Sequence, residues 1–232
     1  MKNKNFKKAT SETPIYSLPP DLLEEILLKT ISTSSSPIKD IRDFRKICKN
    51  FHVACSSKRV GKYMIVEDWK KSWQDKQGYL SFIRSCADCK NSDALFWLGL
   101  EELLIRERVD VGLHYLQIAS SGGHVLSKYI AGLVLLREES TRWYGVYLLN
   151  EISNKIHQCR EETSNIFMKM KWDKLSALSV NHCDNLSCGK RSLEGDNRWL
   201  SENHVKRIFC SDICEWVHEY NMFVNRRYLS IS

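Results

Sequence analysis

A chain of 232 residues has room for one or two ordinary domains, and 43% apolar residues are enough for a buried core, which excludes a wholly disordered protein. The net charge of +7 is spread over Lys2, Lys4, Lys7, Lys8, Arg45, Lys46, Lys49, Lys58, Arg59 and Lys62, whereas a nucleic-acid footprint would be concentrated. No stretch approaches the roughly 20 apolar residues of a membrane span, and the N-terminus does not read as a secretory leader. The nine cysteines are therefore expected in a reducing compartment, nucleus or cytoplasm, as free thiols or metal ligands rather than disulfides.

Residues 1–14 are polar and lysine-rich without periodicity, and are expected to form a disordered tail. The first domain is expected over residues 15–65. Ser17-Leu18-Pro19-Pro20-Asp21 opens a helix with Ser17 as candidate N-cap and prolines in the first turn. Leu22, Leu23, Ile26 and Leu27 share one face, with Asp21, Glu24 and Glu25 off it. A serine run from Ser32 to Pro37 breaks the helix. A second helix from Pro37 or Ile38 places Ile41, Phe44, Ile47 and Cys48 on one stripe, continued by Phe51, Ala54 and Cys55 ahead of Val60 and Met64. The outcome is a compact three-helix unit. Its opening Leu18-Pro19-Pro20-Asp21-Leu22 and its closing Ile47-Cys48-Lys49-Asn50-Phe51 resemble the two ends of an F-box, with Pro20 and the serine-rich lengthening after Ile31 as departures. The resemblance implies docking into a helical groove of a Skp-type adaptor through Leu18, Pro19, Leu22, Leu23, Ile26, Leu27, Ile47, Cys48 and Phe51. About half of these would face the adaptor while the rest form the unit's own core.

Residues 66–160 read as a helical region. Gly99, in Leu95-Phe96-Trp97-Leu98-Gly99-Leu100, and Gly132, in Lys128-Tyr129-Ile130-Ala131-Gly132-Leu133, stand 33 residues apart, the period of a helix-hairpin repeat. Between them, Gly112 to Ser121 supplies a second helix and Gly122 its end. Ala94 to Gly99 and Ala119 to His124 resemble the Sel-like branch of tetratricopeptide-type repeats, with one and a half repeats recognisable. Cys86-Ala87-Asp88-Cys89 has the spacing of redox and metal sites, but no strand precedes it and its flank is helical, so buried or incidental thiols are expected. Residues 161–180, with Ile166, Phe167, Met170 and Leu175, read as a helical connector whose apolar positions are core.

The last segment, residues 181–232, carries Cys183 and Cys188, then Cys210 and Cys214 after a long gap. Two short-spaced pairs let two chain segments meet at one tetrahedral zinc ion. A helix is expected after Cys210, capped by Ser211 or Asp212, with Cys214 projecting from its first turn. His182, His204 and His218 are rival ligands, and plain buried thiols remain the alternative. With every protein ligand filled, the ion would be structural, and so small a module needs such a staple. Together with the first domain and the repeats, this ending is similar to the plant F-box family that closes in a finger related to the MYND type, here with cysteines for a single zinc.

The overall expectation is a mainly α protein: a three-helix F-box, a helical-hairpin repeat region and a small zinc-binding module. The resemblance implies a non-catalytic, substrate-recruiting subunit of a Skp-cullin-F-box ubiquitin ligase, whose repeats and finger face an unidentified protein target. No nucleophile elbow or phosphate loop is present to suggest catalysis. A zinc-finger nucleic-acid-binding or transcription-related protein is the second reading, motivated by Arg198, Lys206, Arg207, Arg226 and Arg227.

Overall fold

The computed structural model describes residues 15, 18–66, 76–170, 188 and 209–225, and its described elements are all helical. The tail expected over residues 1–14 and the connector beyond Met170 lie outside the described residues. The chain divides into two compact units, residues 1–71 and 72–232. No helix among the described residues is long and apolar enough to cross a membrane.

The first unit holds α1 (Pro20–Thr33), α2 (Pro37–Ile47), α3 (Lys49–Cys55) and α4 (Lys58–Tyr63). Pro19 occupies the N-cap position of α1 and Pro20 follows it, so the helix starts later than a Ser17 cap would place it and no side chain caps it. The carbonyl of Pro19 accepts the N–H groups of Leu22 and Leu23 at 3.1 and 3.2 Å. Fixed proline φ values suit this start, because first-turn N–H groups have no intrahelical partner. The serine run is a built turn: Ser34 Oγ accepts the Ser36 N–H at 2.9 Å and donates to Asp40 Oδ2 at 2.5 Å.

The second apolar stripe does not lie on one continuous helix. Cys48 is extended, with φ −161° and ψ 172°, and serves as C-cap of α2 and N-cap of α3. The chain thereby reverses enough for Phe51 to stack on Phe44 with centroids 5.4 Å apart. Leu23, Leu27, Ile31, Ile41, Phe51, Ala54, Cys55, Val60 and Met64 are buried in this unit.

The second unit contains α5 (Lys76–Asp88), α6 (Ser92–Leu100), α7 (Val109–Ser121), α8 (Val125–Leu135), α9 (Arg142–Asn150), α10 (Ile156–Met170) and α11 (Asp212–Asn225). Between α6 and α7 the chain widens into a π-turn, Glu101–Ile105, where the buried Glu101 and Glu102 pair with Arg106 and Arg108. Such pairing is required of carboxylates out of water.

The 33-residue period extends well past the two glycines that reveal it in the sequence. Gly112 and Gly145 share it, as do the buried Ile83, Leu116 and Leu149 on α5, α7 and α9. A methyl group on Gly99 would lie 2.7 Å from Leu116 Cγ, and one on Gly132 would lie 2.7 Å from Leu149 Cγ. The same contact is therefore built twice, and α6–α7 and α8–α9 are two successive hairpins, with α5 standing where a preceding hairpin's second helix would. Gly122 caps α7 at φ −79°, and it is Gly123 that takes the left-handed conformation, at φ 90°. One period earlier Lys90 takes φ 64°. The Cys86-x-x-Cys89 motif thus falls on the repeat positions held by Ala119 and Gly122.

The helix starts obey the same period. Asn91 Oδ1 caps α6 by accepting the Ala94 N–H at 2.9 Å, and His124 Nδ1 caps α8 by accepting the Ser127 N–H at 3.0 Å. To accept, His124 must be neutral, and burial against Phe96 (4.6 Å between centroids) lowers its pKa despite Asp93 and Glu162 nearby. The folded chain then binds this proton less readily than the unfolded chain does. Stability is fully present above the ordinary histidine value near 6.5 and falls as pH drops below it. His124→Asn keeps an acceptor of the type used at Asn91 and removes the titration. Thermal midpoints measured at pH 7.5 and 5.5 should therefore differ less in His124→Asn than in the unaltered chain; equal differences would refute the cap assignment.

Candidate docking surface and metal centre

The nine positions singled out in the first unit divide by exposure. Leu23, Leu27 and Phe51 are buried, and Leu18, Ile26 and Cys48 are half-buried. Pro19 is exposed, as are Leu22 at 50% and Ile47 at 57%. Helical spacing accounts for the division on α1: Leu23 and Leu27 fall one turn apart on the inner face, and Leu22 precedes them on its shoulder. Exposed apolar side chains that sequence reasoning did not single out continue the surface character of this unit: Val53 on α3, Tyr63 at the end of α4, and Ile65. A small helical unit that buries Leu23, Leu27 and Phe51 while leaving Leu22, Ile47 and Val53 in water has apolar surface available for a partner.

In the second unit, Cys188, Cys210 and Cys214 come together with their sulfur atoms all within 4.8 Å of one another. The sulfur atoms of Cys210 and Cys214 stand 3.4 Å apart. Thiolates bound at about 2.3 Å to one tetrahedral zinc lie about 3.8 Å apart, so the spacing suits such an ion. The Cys210 N–H points at Cys188 Sγ at 3.5 Å, the kind of outer hydrogen bond that orients a ligating sulfur. Ser211 caps α11 by accepting the Cys214 N–H at 3.3 Å, which fixes the turn between the two cysteines.

Cys183, the expected fourth ligand, lies outside the described residues, as do His182 and His204. His218 is not in the sulfur group; its ring lies 5.5 Å from that of Phe209. Other cysteines have a different setting. Burial pushes the Cys159 thiol up to about 12 and raises that of Cys55, so both stay protonated. Cys86 is buried at the C-terminal end of α5, the end of a helix that disfavours a thiolate. The basic residues behind the nucleic-acid reading, Arg198, Lys206, Arg207, Arg226 and Arg227, lie outside the described residues.

α11 is anchored by groups that no local pattern revealed. Glu219, 3% exposed, accepts a hydrogen bond from Tyr129 Oη at 2.6 Å and a forked pair from Arg160, whose Nε lies 2.9 and 3.1 Å from its two oxygens. Burial, reinforced by the Glu219 charge, raises the Tyr129 pKa well above the usual phenol value and keeps it a donor. Trp216 Nε1 donates to Asn150 Oδ1 at 2.7 Å, and Asn150 Nδ2 donates to Asp212 Oδ2 at 2.9 Å. Tyr220 and Phe223 complete the seating among buried residues of α8 to α10. The partners are 59 to 90 residues apart in sequence, beyond the reach of any periodicity.

A family described as plant tetratrico peptide repeats matches residues 62–168, a range that contains α5 to α9 and nearly all of α10. The chain is also similar to a putative F-box protein of Arabidopsis thaliana, 28% identical over 167 residues, which is 71% of this chain and 54% of the relative. It therefore spans about half the length of that relative. No solved structure matches the chain.

Proposed function

We propose that this chain is a non-catalytic, substrate-recruiting subunit of a Skp-cullin-F-box ubiquitin ligase, acting in the nucleus or cytoplasm. The observation that carries the reading is the set of water-accessible apolar side chains Leu18 and Pro19 just ahead of α1, Leu22 on α1 and Ile47 at the end of α2, on a unit whose Leu23, Leu27 and Phe51 are already buried. Similarity to a protein named as a putative F-box protein supports it. In this reading Leu18, Pro19, Leu22, Ile26, Ile47 and Cys48 meet a Skp-type adaptor, and through it a cullin, while Leu23, Leu27 and Phe51 hold the helices in register from within. A stable complex of this kind buries about 800 Å² per partner around aliphatic anchors. Helices α5 to α11 would receive the protein target.

The same proposal gives Cys188, Cys210 and Cys214 one structural zinc, with Cys183 as fourth ligand, in a finger related to the MYND type. The ion would supply coordination energy for folding, since structural zinc contributes roughly 10 kcal/mol or more. Co-purification decides the docking half: Leu18→Ala with Pro19→Ala should abolish recovery of a Skp-type adaptor with the tagged chain, and undiminished recovery would refute it. Metal analysis of the purified chain decides the other half, with one zinc per chain expected.

A further inference from the structure

α11 carries two kinds of group within a few residues. Cys210 precedes it and Cys214 sits in its first turn, while Asp212 between them is bonded to Asn150 at the end of α9. Immediately beyond come Trp216, Glu219, Tyr220 and Phe223, all buried, and all on the side that packs on the repeat helices. Phe223 meets the rings of Tyr129 and Phe167 edge-on at 6.2 and 5.5 Å. A hairpin repeat array must have its last apolar face covered, because each repeat buries its core only against a neighbour. Here the cover is α11, and its first turn carries Cys214 of the candidate metal centre.

We propose that α11 is a metal-dependent end cap: zinc at Cys188, Cys210 and Cys214 and the seating of α11 on α8 to α10 stabilise each other, so loss of the ion releases the helix and uncovers Tyr129 and Phe167. This rests on the zinc reading above. The physical ground is shortness of the connection. Trp216 lies two positions after Cys214, and Glu219 five positions after it, so the first turn cannot unwind without disturbing the Trp216–Asn150 bond and then the bonds of Glu219. Coupling between two equilibria is reciprocal: whatever zinc adds to the cap, the cap adds to zinc affinity.

The reciprocity makes a test on the full chain, with zinc alone as the probe. Tyr129→Phe removes one donor to Glu219 while Arg160 still pairs it, and Asn150→Ala removes both contacts to Asp212 and Trp216; neither residue is a ligand. Each is expected to weaken zinc binding roughly tenfold in chelator competition, the size of one charge-assisted hydrogen bond, while the helical circular dichroism signal persists. Stripping zinc should speed amide hydrogen exchange at least tenfold throughout α11 and in the α8 segment around Tyr129. Unaltered affinity in both variants, or exchange that changes only at the cysteines, would overturn the coupling while leaving the zinc site standing. A chain that binds no zinc at all would remove the site and the coupling together.

Discussion

Leu22→Asp and Ile47→Lys, separately, are expected to lower affinity for a Skp-type adaptor at least 100-fold while leaving the melting of the first unit nearly unchanged. Both side chains are half or more exposed, so neither supports the core. Each replacement also suits its helix. An aspartate in the first turn of α1 and a lysine in the last turn of α2 complement the helix dipole. Substitution at such positions usually changes stability by about 0.5 kcal/mol or less. In the proposed complex the same positions are desolvated, where an unpaired charge costs several kcal/mol, and roughly 3 kcal/mol is already 100-fold.

The contrasting variant is Leu23→Ala. Leu23 is fully buried one position away, and its truncation should cost about 2 to 5 kcal/mol of stability. Calorimetry and a binding titration on all three variants separate docking from folding. Should Leu22→Asp and Ile47→Lys bind like the unaltered chain, the exposed leucine-type surface is not the docking face.

The sequence made α1 legible because its apolar residues keep helical spacing and two prolines mark its start. What spacing could not separate was Leu22 from Leu23, adjacent on the same broad stripe, since which of them is covered depends on where α3 and α4 arrive. Cys48 is a similar case. Its extended backbone interrupts a stripe whose residue types favour continuation, and only the Phe44–Phe51 stack shows what the interruption achieves. In the repeat region Gly99 and Gly132 gave the period, yet α9 stayed hidden as an equivalent of α7. The charged Arg137-Glu138-Glu139-Ser140-Thr141 loop precedes it, and the exposed Trp143 and Tyr147 obscure its polar face. Gly145 and Leu149, each 33 residues beyond Gly112 and Leu116, were the available signal.

For the candidate metal centre, cysteine spacing pointed to Cys188, Cys210 and Cys214 because ligand geometry restricts spacing so tightly. Glu219 carries no comparable mark. A glutamate on the face of an amphipathic helix reads as solvated, and its burial depends on Tyr129 and Arg160, which sequence distance conceals. A charge-paired anchor of this kind is visible only when three helices are seen together.

Gly112→Ala should be the most damaging single methyl addition in the second unit. The added carbon would sit 2.7 Å from Leu103 Cβ, 2.7 Å from the Leu103 backbone nitrogen and 2.8 Å from the Gly99 carbonyl oxygen. Two of these three neighbours are backbone, so no rotamer change relieves the overlap and the helices must move apart. Alanine recovers up to about 1 kcal/mol of helix propensity over glycine, against an overpacking cost of roughly 3 kcal/mol or more. The net loss of about 2 kcal/mol corresponds to a midpoint lowered by roughly 4 to 8 °C for a unit of this size. Gly145→Ala, whose nearest backbone contact is the Gly132 carbonyl oxygen at 2.7 Å with the Leu136 nitrogen at 3.2 Å, should follow it closely because it is the same position one period on. Gly123→Ala meets nothing within 4 Å and pays only for its φ of 90°, about 1 to 2 kcal/mol. Gly122→Ala presses chiefly on Ser92 Oγ, a side-chain atom free to rotate, and should be the mildest of the four. Thermal unfolding that ranks Gly112 and Gly145 together above Gly122 would establish backbone-to-backbone approach as the feature that sets the repeat. If Gly112→Ala melts with the unaltered chain, α6 and α7 do not touch where the two glycines cross.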